Sequence, residues 1–286
     1  MNQFSINSLV NALRRGLSVF RPACRALLTP QAVVLEPGDK SAPLVRRLDA
    51  TGLPLELQFT QAMAVLLQML DQAGVQGQRL HLLVSDDWTR PALLALPNPS
   101  ASETAVETLL ARHYRGVYGD LMDAWQWCWD LQGIQLVAVA WPKVGLDALR
   151  AGLAVRFCTL ASARSLGLAL ASQLSVKSDV CWVLVNAPTS ATLLRLQGSA
   201  LQHWCVLAHP IGDVQSMPVQ LAREALRRSD SCRSVVIIDC NASNTSALLL
   251  QNLLIAGWVA RVCADSTFAN MWGWRLQQLG QPAAPA

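Results

Sequence analysis

Short apolar runs alternate with amphipathic segments along most of this 286-residue chain. The runs at 79–84, "RLHLLV", and 234–239, "SVVIID", have the length and β-branched character of buried strands. The segment at 60–74, "TQAMAVLLQMLDQAG", instead places its apolar residues three and four positions apart, which is typical of a helix packed on one face. The alternation of the two patterns predicts an α/β protein.

The order of these patterns predicts a duplication. Three strand-like segments, "QAVVLEP", "LVRRLDA" and "LELQF", form a first meander that is followed by helices and strands. From residue 156 the pattern begins again, with "CWVLVNA", "TSATLLRLQ" and "ALQHWCVLAH" as a second meander. The predicted units are a basic amphipathic segment at 1–30, a first half at 31–155 with an inserted small subdomain at about 79–150, a second half at 156–279 and a disordered tail at 280–286.

Composition restricts the environment and the partners of the chain. Hydrophobic residues make up 52% and charged residues 15%, so we expect part of the apolar surface to meet a partner. The net charge of +4 is scattered, apart from the arginines near the N-terminus, where the spacing predicts an amphipathic helix that docks on the body or, alternatively, lies on a membrane surface. No apolar run is long enough to span a bilayer and no secretory signal is present, so a cytoplasmic location is expected.

The common catalytic and metal-binding motifs are missing from the sequence. It contains no phosphate-binding GxxxxGK[ST] or GxGxxG pattern and no GxSxG nucleophile elbow. The eight cysteines include no CxxC pair and no histidine at a familiar ligand spacing, so a zinc site is not expected and the thiols are predicted to be reduced. Asp86 and Asp87 could be a catalytic or metal-binding pair, but a polar turn between two paired strands is favoured.

The run "AWQWCWD" carries the most unusual aromatic pattern. Alternation along a strand places Trp125, Trp127 and Trp129 on one face. Three indoles in a row could stack on single-stranded nucleic acid, but aspartates flank the segment where such a binder needs a cationic groove. Packing against the core or against a protein partner is therefore favoured.

Several strings resemble those of a known family. The stretch "LLVSDDWTRPALLALPNPSASETAVETLLARHYRGVYGD" is similar to a recurrent form in divergent actin-like proteins of bacterial type IV pilus and type II secretion assembly, of which PilM and the cytoplasmic part of GspL are members. The strings "LVAVAWPKVGLDALRAGL" and "CWVLVNAPTSATLLRLQGSALQHWCVLAH" resemble later parts of the same family. The resemblance implies a duplicated actin-like (ribonuclease H-like) fold in the α/β class.

The same resemblance implies a nucleotide cleft that has lost its chemistry. Active members place an Asp-x-Gly turn in each of two hairpins, whereas the turns assigned here read "LEPGDKS" and "LVNAPTS", and "DCNASN" lacks the glycine pair expected near adenosine. Mg²⁺ coordination and close backbone approach to phosphate would both suffer. The residues assigned to this vestigial cleft are Glu36, Gly38, Asp39, Lys40, Ser41 and Asn186.

The expected function is that of a catalytically inactive cytoplasmic scaffold in a pilus or secretion assembly platform. It would bind the cytoplasmic tail of an inner-membrane protein, PilN-like or GspL/GspM-like, and an assembly ATPase is a further expected partner. The inner-membrane partner would hold the protein at the membrane surface. A homo-oligomer is compatible with the sequence. Neither a cofactor, nor a metal, nor nucleic acid is expected. The candidate contact residues, chosen because large aromatic residues and arginine dominate interfaces, are Trp88, Arg90, Trp125, Trp127 and Trp129.

Two alternatives remain open from the sequence. One is an ATP-binding switch or ATPase of the same fold, with Glu36 and Asp39 holding Mg²⁺ and Lys40 touching phosphate. The other is a single-stranded nucleic-acid binder that uses the tryptophan face.

Overall fold

The computed structural model describes residues 23–38, 42–49, 52–96, 101–132, 134–172, 174, 180–187, 189–198, 200–208, 214–240 and 245–263. Within these ranges, every helix is too short or too polar to cross a bilayer.

The described elements alternate between strands and helices, as the periodicity predicts. In chain order they are β1 (Ala23–Thr29), β2 (Ala32–Glu36), β3 (Leu44–Arg47), α1 (Leu55–Gln72), β4 (Arg79–Val84), β5 (Arg90–Ala95), α2 (Glu103–Tyr118), β6 (Trp125–Gln132), β7 (Gln135–Pro142), α3 (Lys143–Val155), β8 (Thr159–Ser165), α4 (Leu166–Ala171), β9 (Val180–Asn186), β10 (Ser190–Gln197), β11 (Ala200–Ala208), α5 (Met217–Arg227), β12 (Ser234–Asp239), α6 (Thr245–Ile255) and β13 (Val259–Val262). Short 3₁₀ turns at Asp86–Trp88 and Gly119–Ala124 precede β5 and β6.

Two five-stranded sheets with the same topology confirm the duplication. The first has the strand order β3-β2-β1-β4-β8 and the second has the order β11-β10-β9-β12-β13. In each sheet three antiparallel strands form a meander, and two further strands run parallel to the first strand of that meander. This is the actin-like arrangement that the sequence predicted.

The first strand and the first helix differ from the prediction. Residues 23–29 form β1 at the centre of the first sheet, whereas the sequence predicts them to be part of the basic amphipathic segment at 1–30; residues 1–22 lie outside the described part. The string "LELQF", predicted as a strand, opens helix α1 behind Pro54. Its apolar residues fit the helix because Phe59 continues a buried stripe with Met63 and Leu66.

The unit boundaries also shift, since two strands belong to a different unit from the one predicted. Strand β8 pairs in parallel with β4, so the first half runs through about residue 172 rather than ending at 155. Strand β4 belongs to the main sheet and α3 packs against α1, which leaves β5, α2, β6 and β7 as the small subdomain. The proposed tail at 280–286 lies outside the described residues.

Three hydrophobic clusters hold these layers together. The largest includes residues from both main sheets and from α1, such as Leu27, Phe59 and Val183. The second lies between the second sheet and helices α5 and α6, and the third lies between α2 and the three-stranded sheet β5-β7-β6. Because the largest cluster spans both sheets, the two halves share one core.

Candidate functional site at the junction of the halves

The turn between β1 and β2 lies at the carboxyl edge of the first sheet. The Ser85 backbone N–H donates to the Leu28 carbonyl over 2.8 Å, which places the end of β4 beside the end of β1. The turn itself is Pro30–Gln31, and it is closed by Thr29, whose hydroxyl donates to the Ala32 carbonyl over 3.0 Å and accepts from the Ala32 N–H over 3.1 Å. In the actin-like topology this turn is the first hairpin.

The predicted first hairpin was therefore the wrong one. Glu36 and Gly38 belong to the β2–β3 turn, and Glu36 pairs with Arg25 near the beginning of β1. At about 3.3 Å per residue, this turn lies roughly 15 Å from the Pro30 turn, at the opposite end of the strands. Asp39, Lys40 and Ser41 of the same prediction lie outside the described residues. Because β1 precedes the first strand that the sequence predicts, the first hairpin of the fold is the β1–β2 turn and the β2–β3 turn is the next one.

The second hairpin was placed correctly. Asn186 ends β9, and its side-chain amide donates to Asp239 Oδ1 at the end of β12 over 3.0 Å. The backbone carbonyl of Asn186 accepts a hydrogen bond from the Cys240 N–H over 2.8 Å. The turn that follows closes with an Ala187 N–H to Ser190 carbonyl hydrogen bond of 2.9 Å.

Asp86 joins the two halves through a buried carboxylate. It accepts hydrogen bonds from the Ser165 hydroxyl, from the Gly167 N–H over 2.8 Å and from the Thr192 hydroxyl over 2.6 Å. Burial raises the pKa of Asp86 to about 6, although these three hydrogen bonds favour the charged form and lower it, while the neighbouring Asp87 raises it. The carboxylate therefore fixes the ends of β4, β8 and β10 relative to one another.

Asp86 and Asp87 lie in a turn, as predicted, but the strands on either side of that turn do not pair with each other. Strand β4 pairs with β1 and β8, whereas β5 pairs with β7, so the turn at Asp86 and Asp87 carries the chain from the main sheet into the small subdomain. Asp87 accepts a hydrogen bond from the Ser85 hydroxyl and lines a cavity, whereas Asp86 is only 3% exposed. The two adjacent aspartates thus have different environments and do not form a carboxylate pair.

A cavity of ≈ 810 Å³ opens where both halves meet the small subdomain. Its wall includes both hairpin regions, the edge strand β11 and the start of β5. Lining residues include Gln31, Gln58, Asp87, Arg90, Tyr118, Thr189, Ser190, Trp204 and Val206. The hydroxyls of Thr189 and Ser190 and the indole N–H of Trp204 are buried without a hydrogen-bond partner among the described residues. These three groups are therefore unsatisfied polar atoms beside the cavity, although each is itself covered.

Two of the proposed contact tryptophans are part of the core. Trp88 is fully buried, and its ring meets Phe59 edge to face at 5.5 Å, so it has no surface to offer a partner. Trp125 is 6% exposed, and its ring lies 4.9 Å below the Arg90 guanidinium. The aromatic character that suggested an interface instead reflects packing.

Trp127 and Trp129 lie on one face, as alternation predicts, and are half-buried. Both indole N–H groups donate to the same carboxylate on α2, that of Glu107, over 2.7 and 2.6 Å. The Trp127 ring also stacks on Tyr114 at 5.5 Å. These contacts fix the tryptophan face to its own subdomain.

Arg90 is the contact candidate that reaches the cavity. It donates to the backbone carbonyls of Thr89 over 2.8 Å and of Asp87 over 3.4 Å, and its guanidinium lies 5.8 Å from the Tyr118 ring centre. Its own carbonyl accepts from the Tyr114 hydroxyl over 2.9 Å. Arg90 therefore supplies a positive charge at the cavity wall while it holds the small subdomain in place.

Comparison with known proteins gives a fold but no sequence family. No family model matches the chain, and no curated protein matches its sequence. A structure described as the "PilM-PilN type IV pilus biogenesis complex" is 13% identical, with 91% of this chain and 94% of that chain covered and a TM-score of 0.60. A Bacteroides thetaiotaomicron protein with an actin-like ATPase fold and unknown function is 10% identical, with 92% and 96% covered and a TM-score of 0.62.

A third structure, the cytoplasmic domain of EpsL, an inner-membrane component of the type II secretion system of Vibrio cholerae, is 9% identical, with 76% and 82% covered and a TM-score of 0.48. The two matches with the higher scores establish that this chain has an actin-like fold. The predicted fold is therefore confirmed over nearly the whole length of the chain.

Proposed function

We propose that this protein is a non-hydrolysing actin-like component of a bacterial pilus or secretion assembly platform, and that it holds the short cytoplasmic tail of an inner-membrane protein in the cavity at the junction. The tail would recruit the protein to the inner membrane from the cytoplasm. A link to an assembly ATPase is part of the same proposal. The observation that carries it is the composition of the two hairpin turns that line this cavity.

The turns offer few backbone donors to a phosphate group among the described residues. An anion cradle needs free N–H groups and glycine to let the backbone approach. Here the turns contain Pro30 and Pro188, which have no N–H, and no glycine. The Ala32 N–H is already bonded to Thr29 and the Ala187 N–H to Ser190. A triphosphate would thus meet few donors in this cavity.

The charges at the cavity wall point in the same direction. Among the described lining residues, Arg90 is the only cation and Asp87 is the only anion. A nucleotide triphosphate would find no excess of positive charge to balance it. An extended peptide is a better match because the rest of the lining is uncharged and the amide side chains of Gln31 and Gln58 can pair with peptide groups.

The proposal also draws on a structural neighbour. The similar structure that contains PilM is described as a complex with PilN. At 13% identity this neighbour establishes only the fold, so a PilN-like partner for this chain rests on the cavity and on the experiment below.

Titration calorimetry with Mg-ATP and with synthetic peptides of PilN-type cytoplasmic tails tests the proposal. We expect no micromolar binding of Mg-ATP and micromolar binding of one tail peptide. Gln58→Trp places an indole in the cavity and should abolish peptide binding, whereas Gln68→Trp on the exposed face of the same helix should leave it unchanged. Micromolar Mg-ATP binding that Gln58→Trp removes would instead support the ATP-dependent switch.

A further inference from the structure

A cluster of three side chains lies on the face of the second sheet that packs against α5. His203 and Cys205 are two residues apart on β11, so both point to the same face of the sheet. Glu224 reaches them from α5. One ligand atom from each residue lies within 4.8 Å of the other two, and His203 Nε2 is 3.5 Å from Glu224 Oε2.

The histidine in this cluster has an unused ring nitrogen. The His203 side chain is 8% exposed, and its Nε2 has no hydrogen-bond partner among the described residues. The Trp182 ring holds the imidazole edge to face, with 5.6 Å between ring centres. A neutral imidazole nitrogen without a hydrogen bond can donate its lone pair to a metal ion.

We propose that His203, Cys205 and Glu224 form a three-ligand site for a divalent metal ion of the zinc class, with a fourth position open to water. Nitrogen, sulfur and carboxylate oxygen are the donors that zinc prefers. Bond lengths of about 2.0–2.3 Å in a tetrahedron place ligand atoms roughly 3.5 Å apart, which is the separation of His203 Nε2 and Glu224 Oε2.

Metal binding would change two partners in the cluster. The Cys205 thiol, whose pKa burial raises to about 12, must lose its proton to solvent as the metal–sulfur bond forms. Arg227 donates to Glu224 Oε1 over 2.5 Å, so its positive charge lies beside the carboxylate whose other oxygen, Oε2, would bind the metal. One thiolate and one carboxylate would neutralise the two positive charges of the ion.

The proposed site differs from the sequence-based expectation that the chain has no zinc site. That expectation rested on the absence of CxxC and of a familiar histidine spacing, but His-x-Cys on a strand is sufficient to place two ligands on one face. The third ligand comes from a helix that the sequence does not place opposite them. Since Trp204 and Val206 of β11 line the cavity, the metal would also fix that wall against α5.

The test uses the full chain, treated with a chelator and then titrated with Co²⁺ and Zn²⁺. We expect one equivalent of Co²⁺ to give the thiolate charge-transfer and d–d absorption of a tetrahedral site, and Zn²⁺ to displace it. His203→Ala and Cys205→Ser should each weaken binding by roughly tenfold or more. Cys128→Ser, which alters an exposed thiol in the small subdomain, should leave binding unchanged.

Arg227→Gln distinguishes a metal site from a purely structural cluster. This exposed arginine places a positive charge beside Glu224, so its removal should tighten Co²⁺ binding, and little packing is lost because its side chain is 63% exposed. Thermal unfolding in chelator shows whether each ligand variant is folded before it is titrated. The absence of a tetrahedral Co²⁺ spectrum in the parent protein and in Arg227→Gln, or its persistence in Cys205→Ser, would overturn the proposal.

Discussion

The hydroxyl of Thr192 on β10 donates to the carboxylate of Asp86 over 2.6 Å and so connects two residues that are 106 positions apart. The same carboxylate accepts from Ser165 and Gly167 at the end of the first sheet. Because Asp86 is buried, these bonds hold the two halves together in surroundings where water competes little.

The stability of the protein should depend on the ionisation of Asp86. Its pKa is about 6 in the folded protein against 3.8 for the unperturbed group, so the folded state holds the proton over a range in which the unfolded state releases it. The free energy of unfolding contributed by this group should therefore fall as the pH rises from about 4 to about 6, by on the order of 3 kcal/mol.

Urea unfolding of Asp86→Asn alongside the parent protein measures this dependence. Asparagine keeps an acceptor for Gly167 and Thr192 and presents its amide to the Ser165 hydroxyl, which can accept. His203 titrates in both proteins and cancels in the difference. A difference curve that stays flat between pH about 4 and about 6 would show that Asp86 does not titrate there.

Removing the Thr192 hydroxyl should weaken the junction without creating a large cavity. Thr192→Val preserves the shape of the side chain but deletes the hydrogen bond to Asp86, and a bond to a charged group contributes about 1.5–3 kcal/mol. Thr108→Val removes a hydroxyl that bonds to the Thr104 carbonyl on the exposed face of α2 and serves as the control. If Thr192→Val and Thr108→Val lower the free energy of chemical unfolding equally, the hydrogen bond to Asp86 contributes no more than an exposed one.

Gly167 should be the least tolerant glycine near the junction. A methyl group at this position meets the Asp86 carboxylate and lies 2.8 Å from Thr192 Cγ2. Gly167→Ala is expected to lower the free energy of unfolding by about 2–3 kcal/mol or more. At Gly116 on α2 an added Cβ has nothing within 4 Å, so Gly116→Ala should raise the free energy of unfolding by up to about 1 kcal/mol. A neutral Gly167→Ala protein in thermal or urea unfolding would contradict the close contact.

Glu107 should fix the environment of two indoles in the small subdomain. Glu107→Gln leaves one acceptor oxygen for two donors, so either Trp127 or Trp129 loses its partner. We expect a loss of about 1–3 kcal/mol in unfolding free energy and a shift in tryptophan fluorescence. Glu103→Gln in the exposed first turn of α2 should do neither. Unchanged fluorescence in both variants would argue against the shared carboxylate.

The fold could be predicted in large part because strand and helix periodicity repeats in the same order in both halves. The β9 turn and Asn186 were located correctly, since a strong apolar strand precedes them. Strand β1 was missed because Arg14, Arg15, Arg21 and Arg25 favoured one basic amphipathic segment up to residue 30, although Pro22 is a signal that ends or kinks a helix. The available signal was the alternation of small apolar and charged residues at Cys24, Arg25 and Ala26, of which Cys24 and Ala26 are buried and Arg25 is exposed.

The junction could not be predicted because its contacts are tertiary. Asp86 was interpreted as a turn residue, and nothing near it in sequence indicates that Thr192 and Ser165 meet it. Trp88 was placed at an interface on the strength of its residue type, whereas only packing decides that it is buried. The residue types therefore indicate which interactions these side chains can make, but not whether the side chains are buried or exposed.

The two prolines in the hairpin turns have an evolutionary consequence. Pro30 and Pro188 each remove one backbone donor from a different half of the chain. A single substitution can return an N–H to one turn only, and Thr29 would still occupy the Ala32 N–H. Returning a backbone donor to both turns would therefore take at least one change in each half of the chain.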